Sequence, residues 1–206
     1  MLDLNDIVET EQQVLQLAAE NGPYDGILGY SQGATLAAQV LIQNALETGH
    51  IPKRERPFKF AIFFNGATPS RVFRVASKPA PIVPDLTQPL ALKFLYAMKA
   101  NPLLGSTCLY PAEHPAGSGR QILTDGTLGM MKCDAALDGK LIRLPTLHVR
   151  CRTDEAEHGE ELYNLCEENV AEQYFHVHKH DFPRGYNEMR EIARLIRETA
   201  ERACEL

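Results

Sequence analysis

Residues 24–38 constrain the fold of this chain more than any other stretch. A short apolar run leads into the pattern Gly29-x-Ser31-x-Gly33, and small and apolar residues follow it at helical spacing. A strand, a sharp turn with serine at its tip and a helix together make a nucleophile elbow. We therefore predict that Ser31 is a nucleophile. The alternative is an ordinary glycine-rich turn with a solvated serine, because so short a pattern also arises by chance.

Two glycines and one backbone amide give this turn its expected chemistry. Side chains at Gly29 and Gly33 are predicted to collide with the adjoining strand and helix, so both positions would require glycine. The backbone N–H of Gln32 would lie at the N-terminus of the following helix. Unpaired donors and the helix dipole stabilise a developing oxyanion there, and Gln32 is therefore the predicted oxyanion-binding residue.

Composition and charge exclude several classes of protein. The chain has 206 residues, of which 44% are hydrophobic and 23% charged, as in a globular domain with a sizeable core. A net charge of −6 argues against a nucleic-acid partner, which requires a basic surface. The first residues lack the basic start and apolar core of a signal peptide, and no apolar run is long enough to span a bilayer. We therefore expect a cytoplasmic protein without a membrane partner.

The cysteines indicate neither disulfides nor a metal site. The chain has five cysteines and no Cys-x-x-Cys pair, which favours reduced thiols. We expect neither a cofactor nor a metal ion.

Alternating elements predict an α/β fold, a parallel sheet with helices on both faces. Helices are predicted at residues 4–21, 32–48, 159–168 and 187–204, and strands at residues 58–66, 144–151 and 173–178 in addition to the elbow strand. Residues 67–143 show no clear pattern except a helical candidate at 89–100. We interpret 1–206 as a single domain with 67–143 as a lid or cap insertion; the alternative for its proline-rich first part is a disordered excursion.

Three residues of catalytic type follow strands of this predicted sheet. Ser31, Asp154 and His180 come after the first, third and fourth strands, and functional groups gather at the carboxyl ends of parallel strands. Their chain order is the one expected for α/β-hydrolases. His180 would take the proton of Ser31, and Asp154 would fix the tautomer of the imidazole.

Other residues compete for these roles. His178 lies two residues before His180 but within the predicted strand, and His148 is mid-strand, as a core histidine would be. The carboxylates that could replace Asp154 are Glu155, Glu157 and Asp181. The alternation His176-x-His178-x-His180 could instead form a metal-binding face, although this interpretation leaves the elbow unexplained.

With these residues assembled, the chain resembles the FSH-type serine hydrolases, a branch of the α/β-hydrolase superfamily, especially fungal members associated with polyketide biosynthesis. The resemblance rests on residues 22–34, 58–66 and 144–149, and on the loop around His180 and Pro183. It implies hydrolysis of a carboxylic ester or an acyl thioester by Ser31, Asp154 and His180. It also implies a small-molecule or carrier-bound acyl substrate, with a polyketide synthase carrier domain as the partner.

Two departures from the family accompany this resemblance. The family usually has a glycine before the histidine, where this chain has Lys179. Relatives also begin with strands and an oxyanion loop before the helix at which this sequence starts. The expectations that follow are weak activity, an open sheet edge covered by a second copy in a homodimer, or a start further upstream. The alternative function is therefore a catalytically weak or inactive acyl-binding or interaction protein.

Overall fold

The computed structural model of the protein describes residues 3–48, 56–75, 110–113, 119–153 and 158–205. Its chain divides into two compact units. The smaller comprises Met1–Thr10 and Ser70–Met131, and the larger comprises Glu11–Pro69 and Lys132–Leu206.

The described helices and strands follow one another along the chain as α1 (Leu4–Asn21), β1 (Gly26–Tyr30), α2 (Gln32–Thr48), β2 (Phe60–Phe64), β3 (Ser70–Arg74), β4 (Tyr110–Glu113), β5 (Gln121–Thr124), β6 (Leu128–Lys132), α3 (Ala135–Asp138), β7 (Thr146–Cys151), α4 (His158–Asn164), β8 (Ala171–His176) and α5 (Tyr186–Glu205).

A four-stranded parallel sheet forms the centre of the larger unit. Its strand order is β1-β2-β7-β8, and every neighbouring pair is parallel. Among the described strands, β1 therefore lies at one edge, and the elbow serine follows that edge strand. Parallel strands end at the same side of a sheet, so the residues after β1, β2 and β8 come together there.

Helices cover both faces of this sheet. On β2, Ala61 and Phe63 belong to a core with residues of α1, α2 and α4, whereas Ile62 and Phe64 belong to a second core with α5. Successive side chains of a strand point to opposite faces, which explains why β2 is apolar throughout. The predicted α/β fold with helices on both faces is confirmed.

Several predicted boundaries differ from the structure. Helix α2 has the predicted bounds, but β8 ends at His176, two residues earlier than predicted. The chain turns there, because the N–H of His178 donates to Nδ1 of His176 (3.2 Å). Helix α4 ends at Asn164, four residues early, and Cys166 then forms an isolated bridge with Ile142.

The smaller unit has a sheet that the sequence did not predict. Its strand order is β3-β6-β5-β4, and β5 is antiparallel to both β4 and β6. Leu4, Val72, Leu123 and Met130 form a small buried core in this unit. Within residues 67–143, where the sequence shows no clear pattern, the described part contains strands β3 to β6 and helix α3, and the helical candidate at 89–100 lies outside the described residues. That this segment is a lid stays a prediction.

The chain leaves and re-enters the larger unit at adjacent points. The N–H of Cys133 donates to the carbonyl of Pro69 (2.9 Å), and these two residues flank the 70–131 segment and Lys132. No helix among the described ranges is long and apolar enough to cross a membrane.

Candidate active site

The turn at Ser31 has the strained geometry of a nucleophile elbow. Ser31 has a φ of +54°, in the left-handed region that side-chain-bearing residues rarely adopt. Its N–H donates to the carbonyl of Phe64 (2.8 Å) at the end of β2, which holds the turn over the sheet. A Cβ at Gly29 would lie 2.3 Å from the carbonyl oxygen of Gly33, so strand and helix approach too closely for any side chain at position 29. The predicted need for glycine at this position is confirmed.

The same prediction is wrong for Gly33. No atom of the described residues lies within 4 Å of a Cβ built at Gly33, because this position faces outward on the first turn of α2. The close contact at Gly29 is made by backbone atoms of residue 33. Any amino acid at position 33 would have these atoms.

The start of α2 presents backbone donors beside Ser31. The first helical bonds run from the N–H groups of Ala34 and Thr35 to the carbonyl of Ser31 (3.1 and 3.2 Å). The N–H groups of Gln32 and Gly33 precede these and belong to the first turn, whose donors have no partner within the helix. The N–H of Gln32 therefore lies at the N-terminus of α2, and its role as an oxyanion donor stays a prediction.

The structure brings Ser31 and His180 into hydrogen-bond contact. Ser31 Oγ lies 2.7 Å from His180 Nε2, although 149 positions separate the two residues. Ser31 is half-buried and His180 is exposed. A neutral imidazole at this distance accepts the serine proton, which is the arrangement that activates a serine hydroxyl.

Residues next to the elbow contact the loop that carries His180. The hydroxyl of Tyr30 donates to the carbonyl of His180 (2.6 Å), and the Phe182 ring packs against those of Tyr30 and Phe64, with centroids 5.9 and 4.5 Å apart. Lys179 has a φ of +54°, which explains why a glycine suits the position before the histidine. In this chain a lysine adopts that conformation.

Asn65 also holds this loop, and sequence reasoning missed it. Its Nδ2 donates to the carbonyls of His180 (3.1 Å) and Asp181 (3.2 Å), and its Oδ1 lies 3.0 Å from His176 Nε2. Its position was the available signal, since an amide directly after an apolar strand of a parallel sheet lies at the functional edge.

The other candidate histidine has a different partner. His178 Nε2 lies 2.7 Å from Glu188 Oε2 on α5. Burial alone would raise the pKa of Glu188, but hydrogen bonds from His178 and from the backbone of Gly185 and Arg184 lower it. His178 is therefore engaged away from Ser31.

The alternating histidines do not form a metal-binding face. His176, His178 and His180 contact Asn65, Glu188 and Ser31 respectively. Within the described ranges, no three His, Cys, Asp or Glu side chains are arranged to hold a metal ion.

His148 is a core histidine, as predicted. It is 1% exposed, and its Nε2 lies 3.2 Å from Thr146 Oγ1 and 3.4 Å from Cys166 Sγ. Burial lowers the pKa of His148 to about 3 and raises that of Cys166 to about 12, so both side chains are neutral near pH 7. The four described cysteines form no disulfide with one another.

The predicted carboxylate lies outside the described residues. Asp154 follows β7 by three positions, and its competitors Glu155 and Glu157 are also outside the description. Asp181, the remaining competitor, pairs with Arg184 (2.7 Å). The assignment of Asp154 stays a prediction.

Comparison with known proteins identifies similar sequences. A family model described as serine hydrolase (FSH1) matches residues 3–192. Hydrolase FUB4 of Gibberella moniliformis is 27% identical over 94% of this chain and 73% of its own length, and esterase alnB of Emericella nidulans is 26% identical over 90% and 70%. Hydrolase phiM, from a fungus, is 41% identical over 39% of this chain, and the match spans 36% of phiM.

Proposed function

The chain belongs to the serine hydrolase (FSH1) family, and from this premise we propose that it cleaves a carboxylic ester or an acyl thioester through a triad of Ser31, His180 and Asp154. The 2.7 Å contact between Ser31 Oγ and His180 Nε2 carries this proposal. It pairs a nucleophile with a base, and the family match gives the class of reaction in which such a pair acts.

Acylation uses groups that follow β1 and β8 at the carboxyl end of the sheet. His180 Nε2 takes the proton of Ser31 as Oγ attacks the acyl carbon, and negative charge develops on the acyl oxygen. The backbone N–H of Gln32 donates to that oxygen at the N-terminus of α2. The imidazolium then gives the proton to the departing alcohol or thiol.

Deacylation repeats the sequence with water. His180 deprotonates a water molecule that attacks the acyl-serine, the carboxylic acid leaves, and Ser31 regains its proton. The carboxylate of Asp154 would hold the other ring nitrogen of His180 and stabilise the imidazolium in both steps.

For the substrate we propose an acyl ester or thioester, with release of a polyketide acyl chain from a carrier domain as its specific form. The resemblance to fungal polyketide-pathway members supports this form, and the printed names of FUB4 and alnB, a hydrolase and an esterase, support the coarser class. Because the matches span 73% and 70% of these two relatives, substrate and partner are proposals about the whole protein.

Labelling by a fluorophosphonate tests the proposal. The probe phosphonylates activated serines, and mass spectrometry should place the adduct on Ser31. Ser31→Ala should abolish labelling, and His180→Gln should slow it about 10³-fold or more, since triad members act as a unit. His178→Gln is the matched control, because its side chain contacts Glu188, and it should label at the wild-type rate.

The same experiment separates the two functional classes. Absence of labelling in a folded wild-type protein would contradict the hydrolase and favour the acyl-binding alternative. Equal slowing in His178→Gln and His180→Gln would contradict the assignment of the base. If Ser31 labels as expected, rates with matched butyryl ester and thioester substrates would then decide between esterase and thioesterase.

A further inference from the structure

We propose that Asn65 is a positioning residue that sets the place of His180 relative to Ser31. The expected effect on catalysis rests on the proposed function. The claim that Asn65 places the His180 loop rests on the hydrogen bonds alone. It begins at the carboxyl end of β2, where the last strand residue, Phe64, holds the elbow and the next residue, Asn65, holds the histidine loop.

The backbone at the end of β2 fixes where the Asn65 side chain lies. The N–H of Asn65 donates to the carbonyl of Val149 (2.9 Å), which extends the pairing of β2 with β7. Asn65 has a φ of +46°, a left-handed conformation that asparagine tolerates better than most residues. The side chain is buried, at 6% exposure, and its amide faces the loop after β8.

The orientation of the Asn65 amide follows from its neighbours. The carbonyls of His180 and Asp181 can only accept, so the atom that faces them must be Nδ2. Oδ1 then needs a donor, and His176 Nε2 lies 3.0 Å away.

The tautomer of His176 agrees with this orientation. Its Nδ1 accepts from the N–H of His178 (3.2 Å), so in the neutral ring the proton is on Nε2. His176 is buried, at 4% exposure, and is the last residue of β8. A buried donor on the sheet therefore holds Asn65 Oδ1, and Asn65 in turn directs two donors at the loop.

The bonds of two consecutive residues define the catalytic spacing. The carbonyl of Phe64 accepts from the N–H of Ser31, and the amide of Asn65 donates to the carbonyl of His180. Nucleophile and base are thus both tied to the end of one strand. A displacement of about 1 Å at a reacting group can lower the rate about 100-fold. Loss of the Asn65 amide should therefore lower kcat.

Three variants separate positioning from packing. Asn65→Gly removes the amide and keeps the left-handed backbone without strain. Asn65→Asp keeps the shape and the acceptor for His176 but turns an oxygen toward two carbonyl oxygens. Thr68→Val is the matched control: Thr68 lies on the same loop, is 7% exposed, and donates to Glu161 rather than to the histidine loop.

The first measurement is a crystal structure of each variant, which needs no activity. In Asn65→Gly and Asn65→Asp we expect the distance from Ser31 Oγ to His180 Nε2 to exceed 3.5 Å, and in Thr68→Val to remain near the wild-type value. An unmoved histidine loop in the Asn65 variants would overturn the proposal. If Asn65→Gly does not fold, Asn65→Asp carries the same comparison.

The second measurement is a double-mutant cycle on hydrolysis of an activated ester. Asn65→Gly should lower kcat by about 10- to 100-fold and leave KM within about twofold. In a His180→Gln background Asn65→Gly should lower kcat no further, because the imidazole that Asn65 positions is absent. An equal loss in both backgrounds would show a general structural role and overturn the inference.

These two measurements keep the inference apart from the proposed function. A wild-type protein without turnover, together with a displaced His180 in the Asn65 variants, would contradict the proposed function but support the positioning role. Turnover in the wild type, together with an unmoved histidine loop in the Asn65 variants, would support the proposed function but contradict the positioning role.

Discussion

The two glycines of the Gly-x-Ser-x-Gly turn look equivalent in sequence but differ in structure. The backbone of residue 33 occupies the space of a side chain at Gly29, whereas a Cβ at Gly33 meets no atom within 4 Å in the part of the chain that the structure describes. Close contact with backbone atoms cannot be relieved by a change of rotamer, so it costs more than a crowded core.

We therefore predict opposite results for Gly29→Ala and Gly33→Ala. Gly29→Ala should lower the free energy of unfolding by about 3 kcal/mol or more, or prevent folding. Gly33→Ala should leave it unchanged or raise it by up to about 1 kcal/mol, because alanine favours a helix. Urea denaturation followed by circular dichroism checks both, and equal destabilisation by the two variants would contradict the prediction.

At the scale of single residues, the sequence identified candidates by their catalytic type and by their position after predicted strands. Ser31 and His180 were predicted because each follows a strand, and the structure puts them in contact. Asn65 could not be assigned, because its role depends on the carbonyls of a loop more than 100 positions away. Lys179 showed no sign of its left-handed backbone, since nothing in a lysine encodes it.

At the scale of elements, helices α1 and α2 bring two carboxylates together. Glu11 on α1 is 4% exposed, and Glu47 lies in the last turn of α2. Burial and the charge of Glu47 raise the pKa of Glu11 from 4.5 to about 7. The folded protein therefore keeps a proton on Glu11 that the unfolded chain releases above about pH 4.5.

This pKa predicts a loss of stability as pH rises. Between about pH 4.5 and 7 the folded state binds more protons at Glu11, so the free energy of unfolding falls through that window, by at most about 3 kcal/mol. Glu11→Gln should be more stable than the wild type by about 1 to 3 kcal/mol at pH 8 and nearly equal to it at pH 4.5. The exposed Glu9→Gln is the control. A difference that does not depend on pH would contradict the shift.

Elements were predicted well where their apolar pattern was long. Helix α2 has both predicted ends, and β2 was recognised as a strand buried on both faces. The sheet of β3 to β6 was missed, because its strands are only four or five residues long and are separated by glycine and proline. So few residues give no period that distinguishes a strand from a loop.

At the scale of the molecule, three buried thiols report on how the larger unit unfolds. Cys133, Cys151 and Cys166 all lie in that unit and are buried, whereas Cys204 near the end of α5 is exposed. If the unit unfolds cooperatively, the three should become accessible together.

We predict that Cys204 alkylates at once in the native protein and that the three buried thiols react at one common rate. Pulsed alkylation in increasing urea, read by mass spectrometry for each cysteine, measures this. Earlier reaction of Cys133, which adjoins the 70–131 segment, would show that this part of the unit opens on its own.

The hydrogen bond between Cys133 and Pro69 has an evolutionary consequence. Because Pro69 and Cys133 are hydrogen-bonded, the parallel sheet does not fix the length of the segment between them. A longer segment would cost little additional loop-closure entropy. The larger unit contains Ser31, Asn65, His176 and His180. The intervening module could be lengthened, trimmed or exchanged during divergence while the reactive pair stays in place.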